Sequence, residues 1–536
     1  MAKDKKNQGL TLLKIEKGAA LVIALLVMSV LSLLGAAFLT ISSTESQIAF
    51  NERDSIQALY IAEAGLARAK RDLLYDIYND INGFSNRFLA SPDGVSIDSD
   101  GTKTGTPGMK YYDLGSGAPS SSFYTVPYSS TTLGKGSYSL EFKNEGSPYS
   151  QDTIVVRSTG TTSSGAKRVL EARFMAVGLS PWNNAIFAGA GSSGGSIKGN
   201  ALIAGSVHIL GTGISPGGSV VIFTGDSGIA NYYKGMDSDL EKKVPALDSN
   251  PASLNAQLRV KKGRVDLDSN SATIGEKDDP KNKVKETLYR VYTNDGFGGS
   301  FGTKNVYSDN GAYQKYDVPE SINLSFPEVS DSDYNENSLV LIAADLGRDD
   351  GKLVIDEDTP AFSKSDGSNS ISWSPIEKGK GKGKGKDSGE LVISGIIYVD
   401  GNLTLGSEKL KEGILYSGKG SIYSGGTGGT IKIKSDLLPK NTFPTQDALG
   451  LIAKEKIEIT SKADLLMAAA LYAQNEIVSQ KQNQIAGAMV SRYFDMGQGS
   501  PRIYQVPSLP KYLPPGLPGS KPTYFMKTLY WKEITP

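Results

Sequence analysis

The stretch Glu16-Lys17-Gly18-Ala19-Ala20-Leu21-Val22-Ile23-Ala24-Leu25-Leu26-Val27 decides how this chain is built. A leader carrying Lys3, Lys5, Lys6, Lys14 and Lys17, opposed only by Asp4 and Glu16, ends in a glycine, and an apolar run starts on the next residue. A secretory signal is cut at small residues after its hydrophobic region. Here the glycine stands before that region, so a cut at Gly18 would leave the apolar helix on the mature protein. From 19 to 41 no residue is charged, and only Ser29, Ser32 and Thr40 are polar. About 20 apolar helical residues cross a bilayer core, so the segment is long enough to span. The lysine-rich side marks the cytoplasmic face, which sends everything after Ile41 out of the cell interior.

The helical pattern continues beyond the membrane. No proline occurs before Pro92, and Ile48, Ile56, Leu59, Ala62, Leu66, Ala69 and Leu73 recur at helical spacing. Polar residues fill the intervals, and Asn82-Gly83 is the expected end. A helix over 19–81 is on the order of 90 Å long at about 1.5 Å per residue. Its first half suits lipid, and its second half offers an amphipathic stripe to a head or to a neighbouring helix.

The order of leader, glycine and apolar helix resembles the class III leader of type IV pilins and pseudopilins. The segment from Ser43-Thr44-Glu45-Ser46-Gln47 through Asn51-Glu52-Arg53-Asp54 to Tyr60-Ile61-Ala62-Glu63-Ala64-Gly65-Leu66 resembles the N-terminal region of PilX-type pilus assembly proteins, the minor pilins of type IV pili. This resemblance covers about the first 70 residues. It implies cleavage by prepilin peptidase between Gly18 and Ala19 and N-methylation of Ala19. It also implies a family motif on the stalk at Glu45, Asn51, Arg53, Asp54, Ala62, Glu63 and Ala64. The implied partners are prepilin peptidase, other minor and major pilins, and the inner-membrane pilus assembly machinery. Most pilins carry a glutamate at the fifth mature position, where this chain has Ile23, and a phenylalanine at the first, where it has Ala19. A carboxylate in lipid is costly unless paired, and in major pilins it meets a neighbour's N-terminal amine. Ile23 has no such group, so the resemblance points to a rare subunit, at the tip or along the shaft, rather than to the bulk subunit.

The exported part reads as β-structure. The 536-residue chain has 61 Gly, 26 Tyr and no Cys, so burial and hydrogen bonds must hold it without disulfide staples. Basic and acidic residues balance at 57 each, which removes any bulk-charge case for specific nucleic-acid binding. His208 is the single histidine, so histidine pairs and multi-histidine metal sites are excluded. Residues 84–136 read as a surface loop. Three alternating runs, 137–142, 152–158 and 167–174, predict an antiparallel meander packed on the helix. Beyond Pro181, runs such as Ala185-Ile186-Phe187-Ala188-Gly189, Leu202-Ile203-Ala204-Gly205 and Val221-Ile222-Phe223-Thr224-Gly225 recur at roughly 18–20 residues. The rhythm returns after 390 and suggests coils of a parallel β-helix, with a β-sandwich as the alternative.

The expected organisation is a leader (1–18), a transmembrane and stalk helix (19–81), a pilin-like β region (82–180) and first solenoid coils (181–230). An inserted lobe (231–390), further coils (391–506) and a tail (507–536), Pro-rich from Pro507 to Pro522 with a final strand expected over Tyr524 to Trp531, complete it. The fold class is therefore α+β, mainly β. The alternating loop from Lys378 to Lys386 reads as a solvated basic turn, with anionic ligands as the functional alternative. Asp331-Ser332-Asp333-Tyr334-Asn335-Glu336-Asn337 starts like a calcium loop, but Glu336 stands where glycine is needed and Ile342 where a bidentate acid is needed. It reads as a turn, as does Asp98-Ser99-Asp100-Gly101. Asp345, Asp349, Asp350, Asp356 and Glu357 are locally dense, yet nothing selects a catalytic pair, and no P-loop, nucleophile elbow or zinc spacing occurs. The chain reads as non-enzymatic and without cofactor. Its expected role is to initiate, cap or decorate a pilus from the inner membrane, with surface glycans as a further partner. A membrane-anchored β-helix adhesin and a glycan-cleaving β-helix enzyme are the alternatives.

Overall fold

The computed structural model describes residues 8–79, 123–125, 131–134, 136–146, 149–193, 196–247, 250–347, 352–377, 386–459, 464–497 and 499–535. The expected helix end at Asn82-Gly83, most of the 84–136 loop, Asp98 to Gly101, Asp349, Asp350 and residues 378–385 of the Lys/Gly loop lie outside them. Two compact units emerge, one of residues 1–177 with 524–536 and one of 178–523.

In the first unit a single helix runs Gln8–Asn79, about 108 Å at about 1.5 Å per residue. The strands Gly136–Gly146, Tyr149–Thr162 and Lys167–Leu179 form the expected antiparallel meander. Their inward residues Leu140, Phe142, Ile154, Val156, Leu170, Ala172 and Phe174 share a core with Ile61, Ala62, Leu66, Ala69 and Leu73 of the helix. The stripe read from sequence starts too early. Ile48 and Ile56 are 59% and 45% exposed, and burial starts at Ala58, because the sheet covers only the distal helix. The expected final strand forms as Thr523–Ile534 and lies next to Lys167–Leu179, so the last residues complete the first sheet.

The second unit consists mainly of parallel strands stacked in three ladders. One ladder carries an inward aliphatic column of Leu339, Ile397, Ile422, Leu451, Leu471, Met489, Ile186, Val207, Leu258 and Val291, each paired with the next. None of the ten is more than 4% exposed. A second column runs Ile414, Leu437, Met467, Ile485, Ile503, Ile203, Ile229 and Ile274. A third set of pairs includes Leu403 on Ile431, and a separate four-stranded sheet sets Val265 beside Val221. Each strand gains a buried apolar face only by lying on its neighbour, which is the energetic logic of stacking.

Two expectations about this unit need correction. The 231–390 stretch does not interrupt the stack, because Gln257–Val260 lies between Val207–Ile209 and Arg290–Thr293 in one ladder. The recurring runs are also not equivalent coils: Ile186 and Ile203 lie in different ladders, and Ile222 in a sheet of its own with Ser196 and Asp266. The loops between rungs differ in length, so spacing along the chain is not spacing along the stack. The order of stacking is also permuted. The strand Gln484–Asp495 pairs with Ile186–Ser192, so the later strands dock beneath the earliest ones.

Candidate functional site

Residues 18–53 of the helix are exposed throughout, and its apolar window is entirely unburied. Within that stretch Ser29, Thr40 and Thr44 return their hydroxyl hydrogens to Leu26, Ala36 and Thr40 carbonyls at 2.8–2.9 Å. These side chains thus satisfy themselves within the helix, as lipid demands of any polar group. Gly18 and Ala19 are exposed, and a Cβ on Gly18 would meet nothing. Glu45 and Asn51 are exposed as well. Arg53 lies over the Phe50 ring at 4.9 Å and 3.6 Å from Asp54, a surface pair of small energetic consequence.

The stalk motif separates into two roles. Ala62 is fully buried while Glu63 is exposed and Ala64 half-buried. Ala58, Ala62, Gly65 and Ala69 form one face, three or four residues apart. A Cβ on Gly65 would fall on the Ser158 hydroxyl, and one on Gly160 would fall on the Ala58 carbonyl and 2.6 Å from the Ala62 amide. The helix and the strand Tyr149–Thr162 therefore approach backbone to backbone, which only small residues allow. Arg68 donates to the Tyr138 hydroxyl at 3.1 Å, and Arg168 donates to Ser55 through Nε at 2.8 Å. Glu45, Asn51 and Arg53 lie on the exposed length of the helix, and Asp54 is half-buried where the exposed length ends.

The C-terminal strand is held by Glu171, whose carboxylate accepts from Arg157 at 2.9 Å and lies 3.1 Å from Lys532. Burial works against its charge, but the hydrogen bonds and positive charge of Lys532 and Arg157 hold the carboxyl below its ordinary range.

In the second unit, residues 313–337 form a strap across the ladder whose outward column includes Tyr398, Tyr423, Tyr472, Phe187 and His208. The Tyr316 hydroxyl is 2.7 Å from His208 Nε2. Phe326 stacks on Tyr472 with centroids 5.7 Å apart, and Tyr472 donates to the Pro327 carbonyl at 2.5 Å. Tyr334 stacks on Tyr423 at 4.0 Å. Asp331 accepts from Tyr423 at 2.7 Å, from Lys454 at 2.6 Å and from the Gly426 amide at 3.1 Å. Burial opposes its charge, yet these donors hold its carboxyl below the ordinary range. Asp331, the first residue of the calcium-like run, is therefore a latch whose carboxylate oxygens are taken by protein donors. His208 is buried, and desolvation, with Arg259 and Lys261 nearby, pushes its imidazole well below its usual value.

Of the acids noted in sequence, Asp345 is 2.6 Å from Lys364 and accepts from the Ile342 amide. Glu357 accepts from Ser407 and pairs with Lys409 at 3.4 Å. Among the described residues no group of three or more His, Cys, Asp or Glu is arranged to hold a metal ion. Sequence reading missed two clefts on this unit. One of about 600 Å³ is lined by Lys261, Lys262, Lys315 and Tyr316, and one of about 540 Å³ by Asp226, Lys234, Glu276 and Arg502. Their residues are far apart in the chain, and the lysine pair Lys261-Lys262 was the one local signal.

Residues 17–67 match the family model described as PilX N-terminal, so the N-terminal segment is of PilX type. Among solved structures the chain is similar to the competence-associated pilin ComZ from Thermus thermophilus, at 20% sequence identity and a TM-score of 0.47, with 90% of this chain and 97% of that chain covered. No curated protein matches the chain.

Proposed function

We propose that the chain is a PilX-type minor pilin whose exported body is a parallel β-solenoid. The observation that carries this is the pairing of the PilX-type segment with a helix exposed over 18–53 and sealed to its sheet only from Ala58 onward. A protein that kept this helix in water would expose Leu21 to Ile41 at the full hydrophobic cost. A membrane before assembly, and neighbouring pilin helices after it, remove that cost.

On this reading prepilin peptidase cuts between Gly18 and Ala19, and the new amine on Ala19 is methylated. The chain waits in the inner membrane with its N-terminus cytoplasmic, then enters a filament to initiate, cap or decorate it. Ile23 withholds the carboxylate that a bulk subunit would pair with its neighbour, and a body of 178–523 is too large for dense packing of identical copies. Both favour low copy number. No catalytic step is assigned. Surface glycans are the partner class proposed for the body, which a membrane-anchored adhesin outside any filament would share.

Mass analysis of the N-terminus on protein extracted from membranes tests the proposal. The expected species starts at methylated Ala19, and Gly18→Ala abolishes its formation. An intact lysine-rich leader, or processing indifferent to Gly18→Ala, overturns it. Crosslinking from the helix to other pilins separates the filament subunit from the free adhesin.

A further inference from the structure

The cleft of about 600 Å³ lies where three turns follow three stacked strands: 210–213 after Val207–Ile209, 261–263 after Gln257–Val260, and Asn294 after Arg290–Thr293. The strap supplies its other wall through Lys315, Tyr316, Val318, Glu320 and Leu324. Its volume falls in the range of roughly 300–1,000 Å³ typical of small-ligand sites.

The walls are held before any ligand arrives. His208 engages the Tyr316 hydroxyl, and Asn294 accepts from the Tyr316 amide at 3.2 Å while donating to the Lys261 carbonyl at 2.8 Å. Arg259 grips Asp317, the next strap residue, through two hydrogen bonds of 2.8 and 3.0 Å. Gly211 has φ of +67°, and a Cβ there would fall on the Lys262 carbonyl, so the first two turns touch backbone to backbone. Such preorganisation lowers the ordering cost of binding.

The charge in the cleft is unspent. Lys261, Lys262 and Lys315 face a single lining carboxylate, Glu320, and among the described residues none of the four makes an ion pair or side-chain hydrogen bond. Leu210, Val318, Leu324 and the Tyr316 ring give an apolar floor, and Thr212 and Glu320 add oxygen atoms. We infer that this cleft binds a short acidic saccharide of the uronate class. Its carboxylates pair with the lysines, the apolar face of a sugar ring lies on the tyrosine and aliphatic floor, and its hydroxyls donate to Glu320 and Thr212. A nucleic-acid backbone fits less well, because the lining has no arginine fork and offers Tyr316 alone where successive bases would need a series of aromatic rings. The inference places the glycan role of the body at one site and does not depend on filament entry.

Calorimetry on the purified full-length chain in detergent tests it, with trigalacturonate, its methyl ester and a short single-stranded oligonucleotide as probes. Trigalacturonate is expected to bind, the uncharged ester at least about tenfold more weakly, and binding to weaken as salt rises. The combined substitution Lys261→Met, Lys262→Met and Lys315→Met is expected to lose about tenfold or more, while Lys419→Met, outside the cleft, leaves binding unchanged. Exposed Lys262→Met alone is the fallback if the triple variant does not fold, with a loss of several-fold expected. No binding, equal binding of the ester, or an unchanged cleft variant overturns the inference. Tighter binding of the oligonucleotide overturns it in favour of a nucleic-acid site. Since processing at Gly18 is measured separately, failure here and failure of the pilin reading are distinct results.

Discussion

The Tyr423 hydroxyl donates to the Asp331 carboxylate at 2.7 Å, joining residues 92 positions apart. Asp331 lies in the strap, and Tyr423 lies in a strand whose ladder neighbours are Tyr398 and Ile452. The chain climbs from Ile186 to Thr293, crosses the stack through the strap, and climbs again from Leu339 to meet its own start. The latch at Asp331 ties that crossing to the second climb, as the His208–Tyr316 contact ties it to the first.

Asp331→Ala leaves Tyr423 and Lys454 without their shared acceptor. A hydrogen bond to a charged group contributes about 1.5–3 kcal/mol, and the low end applies because the Asp331 side chain is 28% exposed. Hydrogen exchange of strap amides in 313–337 is expected to speed up, with little change at the aliphatic column. The folded carboxyl sits below its unfolded value, so its stabilisation is present above about pH 4 and fades as pH falls through the folded value. Acid should therefore loosen the strap of the wild type and not that of the variant.

His208 gives a pH dependence in a different window. Its imidazole is held neutral in the fold, well below an unfolded value near about 6.5. The unfolded state therefore takes up the proton first, and local stability falls as pH drops below about 6.5, at up to about 1.4 kcal/mol per pH unit until the folded group titrates. As the single histidine, it makes the assignment clean. Denaturant unfolding followed from pH 7 to pH 5 should show this slope in the wild type and lose it in His208→Gln.

Gly160→Val places a branched side chain where the helix backbone already lies. Overpacking typically costs about 1–3 kcal/mol, and here backbone on both sides of the contact leaves little room to yield. The thermal transition of the first unit is expected to fall. Tryptic cleavage at Arg68 or Arg157 should become faster, while the stacked ladders keep their protection. Unchanged cleavage would contradict the close packing described here.

Glu171→Gln removes the charge shared by Arg157 and Lys532. Both cations are partly exposed, at 32% and 56%, so solvent screens much of the loss and about 1–2 kcal/mol is expected. The readout is release of the final strand, seen as faster proteolysis after Lys527 and Lys532. The depressed carboxyl of the wild type makes the same release occur on acidification, as pH falls through its folded value.

Much of the first unit was legible because its signals are local. An uncharged run from Ala19 to Ile41 reads as a membrane segment by length alone, and a 3.6-residue stripe and period-two strands announce a helix on a sheet. Where burial begins was not legible, since Ile48 and Ala58 differ only in whether a sheet reaches them. Ala62 and Gly65 stood in the sequence within a family likeness, and the small face that they form with Ala58 appeared only with Gly160 and Ser158 opposite it.

By itself the sequence determined the long apolar helix, the glycine before it, the absence of a carboxylate at Ile23 and the β-rich character of the rest of the chain. Each follows from residue type and near-neighbour spacing. Tertiary structure alone decided the order of stacking, the return of Thr523–Ile534 to the first sheet, the latch at Asp331 and the lysine cleft. Those depend on contacts between distant residues separated by loops of unequal length, and no periodicity along the chain encodes which strand lies on which.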